Sequence, residues 1–415
     1  MGVNWESLYT DSARVAQVSP LRDLLRFGSA PDVISLAGGF PAPELFPADA
    51  FREAAEAALT TDPGAALQYG PAEGYPPLRA FLADRLTHQG ISVSPEEVLI
   101  TNGSQQGLEL VARLLVTRGC QVVAEDPSYV GGLSVFGCHH ADYMVVSVDG
   151  DGMQVERLEE QLRGEGPKPK LIYALPNFQN PTGNTLSLAR RHRLLDLSYR
   201  HGIPILEDDA YGELRFEGEH IPSLKSMDSE ESVIYMGSFS KILSPGVRLG
   251  WLVAKEGVIA HLLGLKLGMD LSANSLTQHV VYRVCSTGML DGHIEGVKPF
   301  YRERRDAMLR GLERHLPAGA TWSRPEGGLF VWVRLPEGLD AEEMLAEAVR
   351  EKVAYVPGMA FHPLKDCSNT MRLNFSAVPV PKIREGVRRL GRVVTRWSEA
   401  RGSGELPLSG DLRAA

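Results

Sequence analysis

A lysine set among small hydroxyl residues is the feature of this sequence best suited to covalent chemistry. Lys241 follows Ser238 and Ser240, and Arg248 comes seven positions later. A lysine amine can form a Schiff base with an aldehyde cofactor. An arginine binds a phosphate through paired hydrogen bonds, and serine hydroxyls add short neutral ones. Taken alone, the segment would also fit an ordinary surface loop, so other residues have to decide between the two.

Further polar residues follow the ends of predicted strands. Asp208 ends a short apolar run, where a carboxylate is unusual without a charged partner, and a pyridinium nitrogen would be one. Tyr211 and Asn180 could reach the phenolic oxygen of such a ring, and Tyr129 could stack on its face. Lys241, once displaced by substrate, would then move the Cα proton. Taken singly, Asp208 could instead be a capping or ion-paired acid, and Tyr129 a core aromatic.

A glycine turn between a predicted strand and a predicted helix is typical of an anion site. Residues 98–101 form the strand and residues 107–115 the helix, with Gly103, Ser104 and Gln105 between them. The free N–H groups of a helix N-terminus and the helix dipole both favour a phosphate there. An unoccupied capped turn is the alternative for this segment.

The order of the elements predicts an α/β fold. The predicted strands cover residues 98–101, 121–124, 143–148, 171–175, 203–207, 233–236 and 249–254, and the predicted helices cover 49–59, 77–89, 107–115, 153–163 and 187–201. This alternation predicts a mainly parallel sheet flanked by helices, with ligands beyond the carboxyl ends of its strands. A helical stretch from about 255 to 315 follows. Beyond about residue 300 the pattern predicts a smaller α+β unit, with strands at 327–333, 353–356 and 370–376 and helices at 340–352 and 381–400.

Composition argues against several classes of protein. The 415 residues are 43% hydrophobic and 23% charged, which is ordinary for a soluble globular enzyme. The net charge of −9 disfavours a nucleic-acid partner or an anionic membrane surface, because both attract basic proteins. The four cysteines show no C-x-x-C spacing, so we expect neither a zinc site nor any other metal site. The first residues do not have the pattern of a secretory signal and no apolar stretch could span a bilayer, so we expect a cytoplasmic protein.

Taken together and in this order, the motifs resemble those of the fold type I, pyridoxal-phosphate-dependent aminotransferases of class I/II. The matching segments are N-P-T-G at 180–183, D-D-A-Y at 208–211, S-F-S-K at 238–241 with Arg248, and Arg372 in its predicted strand. The resemblance implies a pyridoxal 5'-phosphate cofactor bound covalently by Lys241, with Asp208 as the partner of the pyridine nitrogen. It also implies that Arg372 binds the α-carboxylate of the substrate.

The resemblance also bears on how the chain is organised. We expect an N-terminal arm over residues 1–45, a large cofactor-binding domain over 46–298, a small domain over 299–400 and a disordered tail over 401–415. Tyr69 matches a tyrosine that, in the family, reaches the phosphate of the neighbouring subunit. That match implies a homodimer with shared active sites.

Two segments resemble one branch of the family, the 2-aminoadipate and kynurenine/aminoadipate aminotransferases. They are residues 37–47 and 176–181. Gly39, in the first segment, would let the backbone approach the substrate closely, and a plain turn is the alternative. In this branch an N-terminal helix covers the substrate, and Ser19 and Arg22 fall at the matching place, where Arg22 would meet a side-chain carboxylate. Arg26 is a rival for that role, and a solvated Arg22 is the alternative.

The resulting hypothesis is a transaminase that moves an amino group from an L-amino acid to a 2-oxo acid. Glutamate with 2-oxoglutarate would be the common pair, and 2-aminoadipate, leucine-like or aromatic amino acids the other substrates, the latter because Leu21, Leu24 and Leu25 are apolar. A β-lyase or a decarboxylase on the same scaffold is a second reading. A ligand-sensing regulator is a third, disfavoured by the acidic net charge and by a fold that begins near Ser35.

Overall fold

Residues 2–17 and 32–403 are described in a computed structural model of the chain. Its α-helices are α1 (Asp11–Gln17), α2 (Ala48–Thr61), α3 (Pro63–Leu67), α4 (Pro76–His88), α5 (Ser104–Leu115), α6 (Val130–Cys138), α7 (Val155–Leu162), α8 (Leu188–His201), α9 (Leu224–Met227), α10 (Phe239–Ile242), α11 (Glu256–Asp270), α12 (Ser275–Ser286), α13 (Met289–His315), α14 (Ala341–Arg350) and α15 (Val380–Ser403). No helix in this part of the chain combines the length and the apolar composition that crossing a bilayer requires.

The strands form three sheets within the described residues. They are β1 (Ile34–Ser35), β2 (Val98–Thr101), β3 (Gln121–Asp126), β4 (Asp142–Asp149), β5 (Gly152–Met153), β6 (Leu171–Ala174), β7 (Ile205–Asp208), β8 (Val233–Ser238), β9 (Gly250–Val253), β10 (Thr321–Trp322), β11 (Phe330–Arg334), β12 (Val353–Ala354), β13 (Val356–Pro357) and β14 (Thr370–Asn374). The largest sheet has eight strands in the order β2-β9-β8-β7-β6-β3-β4-β5. Strands β4, β3, β6, β7 and β8 run parallel, whereas β9 and β5 run antiparallel to their neighbours.

The central strands of the large sheet are buried on both faces, which explains why they are continuous apolar runs rather than alternating ones. Every residue of β6, β7 and β8 is buried. Successive residues of β6 pack on opposite faces: Ile172 packs with Leu158 and Leu194 of α7 and α8, and Tyr173 packs with residues of α5 and α6 on the other face. The mainly parallel sheet flanked by helices is therefore confirmed.

A second, antiparallel sheet has the order β10-β11-β14-β13. In its centre Trp332 of β11 lies opposite Arg372 of β14. A short parallel pair joins β1 to β12, with Ile34 opposite Val353. Through this pair, residues near the N-terminus lie beside the C-terminal part of the chain.

The predicted elements agree with the structure except at their ends and at several short elements. Helices α1, α3, α6, α9 and α10 and strands β5 and β10 lie in stretches that the sequence pattern left unassigned or assigned differently. Helix α15 continues to Ser403, past the Arg401 boundary predicted for a disordered tail. The helix predicted near Leu21, and with it Ser19 and Arg22, lies outside the described residues.

Candidate active site

The predicted polar residues gather beyond the carboxyl ends of the parallel strands. Asp208 is the last residue of β7, and its buried carboxylate oxygen Oδ2 accepts a hydrogen bond of 2.8 Å from the Tyr173 hydroxyl of β6. Burial is the main reason why the pKa of Asp208 is raised to about 7; the Tyr173 hydrogen bond opposes this rise, and the charge of Asp209 adds to it. Asp208 is therefore a carboxyl whose charge depends on its immediate neighbours.

Lys241 lies in the single turn of α10, directly after β8. The Ser238 hydroxyl at the start of this turn accepts the backbone N–H of Ser240 at 3.1 Å, which caps the turn. The Lys241 Nζ donates to the backbone carbonyl of Gly39 at 2.9 Å. Burial, followed by the positive charges of Arg372 and Arg248, lowers the pKa of Lys241 to about 8. A lowered pKa leaves part of the amine uncharged near neutral pH, as a nucleophile requires.

Arg372 lies in β14 of the second sheet and reaches toward the large one. Its Nη1 donates to Asn180 Oδ1 at 2.9 Å, and its Nη2 donates to the Ala37 carbonyl at 2.8 Å. The guanidinium lies over two aromatic rings, 4.3 Å from the centroid of Phe330 and 5.0 Å from that of Phe361. Burial lowers the pKa of Arg372 to about 10, so the side chain stays charged at neutral pH. Its buried Nε has no hydrogen-bond partner within the described residues.

Arg248 lies against the glycine turn that opens helix α5. Gly103 precedes the helix with φ at +76°, and a Cβ on it would lie 2.7 Å from Nη2 of Arg248. A residue with a side chain at this position would have a strained backbone conformation and would also displace the guanidinium. Arg248 itself has φ at +51°, a left-handed conformation that is uncommon for a residue with a side chain and is found where function requires it. The turn therefore places a cation beside the free N–H groups of a helix N-terminus, where Ser104 and Gln105 are the first residues.

Two tyrosines complete the group. Burial, with the charge of Asp208 as a second cause, raises the pKa of Tyr129 to about 12. Burial also raises the pKa of Tyr211, and its ring meets Phe330 edge to face with centroids 5.8 Å apart. Both phenols therefore stay protonated at neutral pH and can act as hydrogen-bond donors.

One predicted residue does not join this group within a single chain. Tyr69 is 81% exposed and lies on the surface. In contrast, the structure adds residues that the sequence reading missed: Tyr173, the Ala37 carbonyl, and the Phe330 and Phe361 rings. A sequence signal for Tyr173 did exist in the pair Gly131-Gly132, which is unusual inside a helix.

These groups fit a phosphorylated pyridine bearing an aldehyde. Arg248, the Gly103 turn and the buried Ser238 and Ser240 offer a cation, N–H groups and hydroxyls to a phosphate. Asp208 offers a carboxylate to a ring nitrogen, and Lys241 offers an amine to an aldehyde. The unpaired Nε of Arg372 gives the fork one more N–H for a carboxylate.

The comparisons with known proteins agree with this fit. The family model "Aminotransferase class I and II" matches residues 31–390. The aromatic-amino-acid aminotransferase 1 of Thermococcus litoralis is 43% identical over 94% of this chain and 95% of its own length. The structure of Pyrococcus horikoshii kynurenine aminotransferase, complexed with PMP, has a TM-score of 0.91 and 41% identity over 95% of this chain and 98% of that one.

A third relative has been solved with an adduct of the cofactor bound. The crystal structure of the alpha-aminoadipate aminotransferase LysN from Thermus thermophilus, complexed with N-(5'-phosphopyridoxyl)-L-leucine, has a TM-score of 0.89 and 41% identity over 95% of this chain and 99% of that one. The cofactor of the present protein is therefore pyridoxal phosphate. The chain belongs to the class I and II aminotransferases, pyridoxal-phosphate-dependent enzymes of fold type I.

Proposed function

We propose that this aminotransferase moves the amino group of an L-amino acid to a 2-oxo acid, with glutamate and 2-oxoglutarate as the common pair. The observation that carries the proposal is the buried Arg372 fork, whose Nε is unpaired and whose charge lies near Lys241. A fork of this kind matches the α-carboxylate that all amino acids and 2-oxo acids share. Pyridoxal phosphate, when bound, supplies an aldehyde carbon for the amino group and a ring that accepts electrons.

In this proposal the residues divide the work. Lys241 would hold the cofactor through Nζ and, once released by substrate, would act as the base and acid that moves the proton at the substrate Cα. Asp208 would keep the ring nitrogen protonated, while Asn180 and Tyr211 would bind the phenolic oxygen and Tyr129 would cover the ring face. Ser238, Ser240, Arg248, Gly103, Ser104 and Gln105 hold the phosphate. The Gly39 carbonyl accepts a hydrogen bond from the Lys241 amine. Because Gly39 has no side chain, the backbone there would pass close to the substrate.

For the second substrate we propose 2-aminoadipate, leucine-like or aromatic amino acids. The relatives support this range, since they include an aromatic-amino-acid, a kynurenine and an alpha-aminoadipate aminotransferase, the last with a leucine adduct. We further propose that Arg22, together with Ser19, binds the side-chain carboxylate of a dicarboxylic substrate. That role would account for 2-aminoadipate and glutamate within the proposed range.

An absorbance experiment tests the reaction and the substrate range together. The purified protein, loaded with pyridoxal phosphate, is scanned before and after addition of single amino acids. We expect glutamate and 2-aminoadipate to bleach the visible band to that of pyridoxamine phosphate, and 2-oxoglutarate to restore it. Bleaching by leucine or aromatic amino acids alone would remove the role of Arg22. Release of pyruvate or carbon dioxide without a 2-oxo acid would favour a β-lyase or decarboxylase, and binding without turnover would favour a regulator.

We also propose a homodimer in which Tyr69 binds the phosphate held by the other subunit. Its 81% exposure in the single chain supports this role, because a tyrosine on the surface is available to a partner. Localisation in the cytoplasm belongs to the same proposal, and cell fractionation tests it.

Mixed dimers test the sharing of sites. Tyr69→Phe should weaken cofactor binding about tenfold, the usual effect of losing one hydrogen bond to a charged group. Coexpressed with Lys241→Ala, it should form hybrids in which one site carries both changes and the other carries neither. We therefore expect hybrids, separated by two tags, to be active at a limiting cofactor concentration at which neither parent is. If Tyr69 serves its own subunit, no hybrid site is intact and no such activity appears.

A further inference from the structure

Tyr173 of β6 is a buried side chain whose one hydrogen bond within the described residues is to Asp208. The residue is fully buried, and its hydroxyl donates to Asp208 Oδ2 at 2.8 Å. Its ring meets Phe136 edge to face, with centroids 5.3 Å apart. Burial and the nearby carboxylate raise the pKa of Tyr173 well above its usual value, so the hydroxyl remains a donor at any working pH. The bond engages Oδ2 and leaves Oδ1 for a second partner.

Helix α6 carries a second observation that points to the same tyrosine. Gly131 and Gly132 are adjacent inside this helix, although glycine is the poorest helix former after proline. A Cβ on Gly132 would lie 2.5 Å from Cε1 and 2.9 Å from the hydroxyl oxygen of Tyr173. A Cβ on Gly131 would lie 2.5 Å from the ring of Tyr129. The glycine pair thus gives two tyrosine rings the space to reach the edge of the sheet.

We propose that Tyr173 is a positioning residue for the cofactor ring: its hydroxyl holds the Asp208 carboxylate in its charged form, so that the shared proton rests on the ring nitrogen. The inference rests on the proposed role of Asp208. Between the carboxylate and the ring nitrogen there is one proton, and a donor to the carboxylate favours its transfer to nitrogen. A protonated ring is the better electron acceptor, so Tyr173 acts on the reaction through Asp208 without touching the substrate.

The ring nitrogen itself provides the test. Pyridoxamine phosphate has the same ring and phosphate but no aldehyde, so it binds without reacting with Lys241. Labelled with ¹⁵N in the ring, it reports protonation through its chemical shift. We expect the bound ring to be protonated at neutral pH. Tyr173→Phe should shift the shared proton toward Asp208, so that the ratio of protonated to neutral ring at neutral pH falls about tenfold, as the loss of one charge-assisted hydrogen bond implies.

Matched variants separate this effect from a structural one. Gly132→Ala should act in the same direction, because its Cβ displaces the tyrosine ring; Gly137→Ala in the same helix should not, because its Cβ would make only an ordinary contact, 3.8 Å from Tyr143. Tyr143→Phe is a second control, since it removes a hydroxyl bonded to the Leu133 carbonyl at 2.6 Å rather than to Asp208. Thermal unfolding of each apoprotein checks that the variant is folded. If Tyr173→Phe does not fold, Gly132→Ala provides the test in its place.

The outcomes distinguish this inference from the function on which it rests. If Asp208→Asn abolishes ring protonation and Tyr173→Phe leaves the chemical shift of the ring nitrogen unchanged, the role of Tyr173 is overturned and that of Asp208 stands. If Asp208→Asn also leaves this chemical shift unchanged, the proposed role of Asp208 fails first, and that of Tyr173 with it.

Discussion

Lys241→Ala should lower kcat for transamination by at least roughly 10⁴-fold, because it removes both the covalent attachment of the cofactor and the general base. The protein should still bind pyridoxal phosphate non-covalently, since the groups proposed to hold the phosphate lie on other residues. Steady-state kinetics with glutamate and 2-oxoglutarate measure the loss. The absorbance spectrum should change to that of a free aldehyde, which borohydride no longer fixes to the protein.

Lys382→Ala is the matched control, because this lysine is exposed on helix α15, whereas Lys241 lies within the site. It should leave both kcat and the visible spectrum as they are in the unaltered enzyme. Near-normal turnover in folded Lys241→Ala would show that another residue carries the proton. The mechanism proposed here could not survive that result.

Arg372→Lys is expected to have the next largest effect, although it keeps the positive charge. An ammonium group cannot reproduce a fork that binds Asn180 Oδ1 and the Ala37 carbonyl and still has one N–H to offer. Loss of a buried charged partner costs about 2–5 kcal/mol, so kcat/KM for amino acids should fall roughly a hundredfold or more. Most of the change should appear in KM, because the contact is made in the ground state as well.

The affinity for pyridoxal phosphate provides the internal control for Arg372→Lys, since the cofactor's phosphate is proposed to lie at Arg248 instead. Arg334→Lys, an exposed arginine in the neighbouring strand β11, makes the same chemical change away from the site. It should alter neither the KM for amino acids nor the affinity for pyridoxal phosphate. An Arg372→Lys enzyme with an unchanged KM for every amino acid tested would assign the α-carboxylate to another group.

Much of the fold was predictable because buried parallel strands have a strong sequence pattern. The run Leu171–Ala174 is entirely apolar or aromatic, and the structure buries all of it as β6. The site residues at the strand ends were predictable for a related reason: polar residues directly after such runs fall at one edge of the sheet. This is why Asp208, Asn180 and Lys241 could be placed near one another without coordinates.

What the sequence pattern could not supply is the direction of individual side chains within buried runs. Tyr173 reads as one more apolar residue of β6, and nothing in its spacing shows that its hydroxyl ends at Asp208. Helix α6 was left unassigned, because its adjacent glycines are poor helix formers and the close packing of two rings that requires them is a tertiary feature. The exposure of Tyr69 is likewise a tertiary property, and only its match to the family gave it a role.

The pairing of β1 with β12 has a consequence for how the enzyme is made. A ribosome has completed Arg248, and hence all of the residues proposed to hold the phosphate from within the chain, long before it reaches Val353 and Arg372. Ile34 pairs with Val353, and the Ala37 carbonyl accepts a hydrogen bond from Arg372, which lies 335 residues further along the chain. Both contacts can form only after these late residues have been made. The nascent chain therefore passes through a stage in which β1 has no partner and Arg372 is still missing. If Arg372 binds the α-carboxylate as proposed, competence for substrate arrives only at the end of translation, as one of the last events in the maturation of the enzyme.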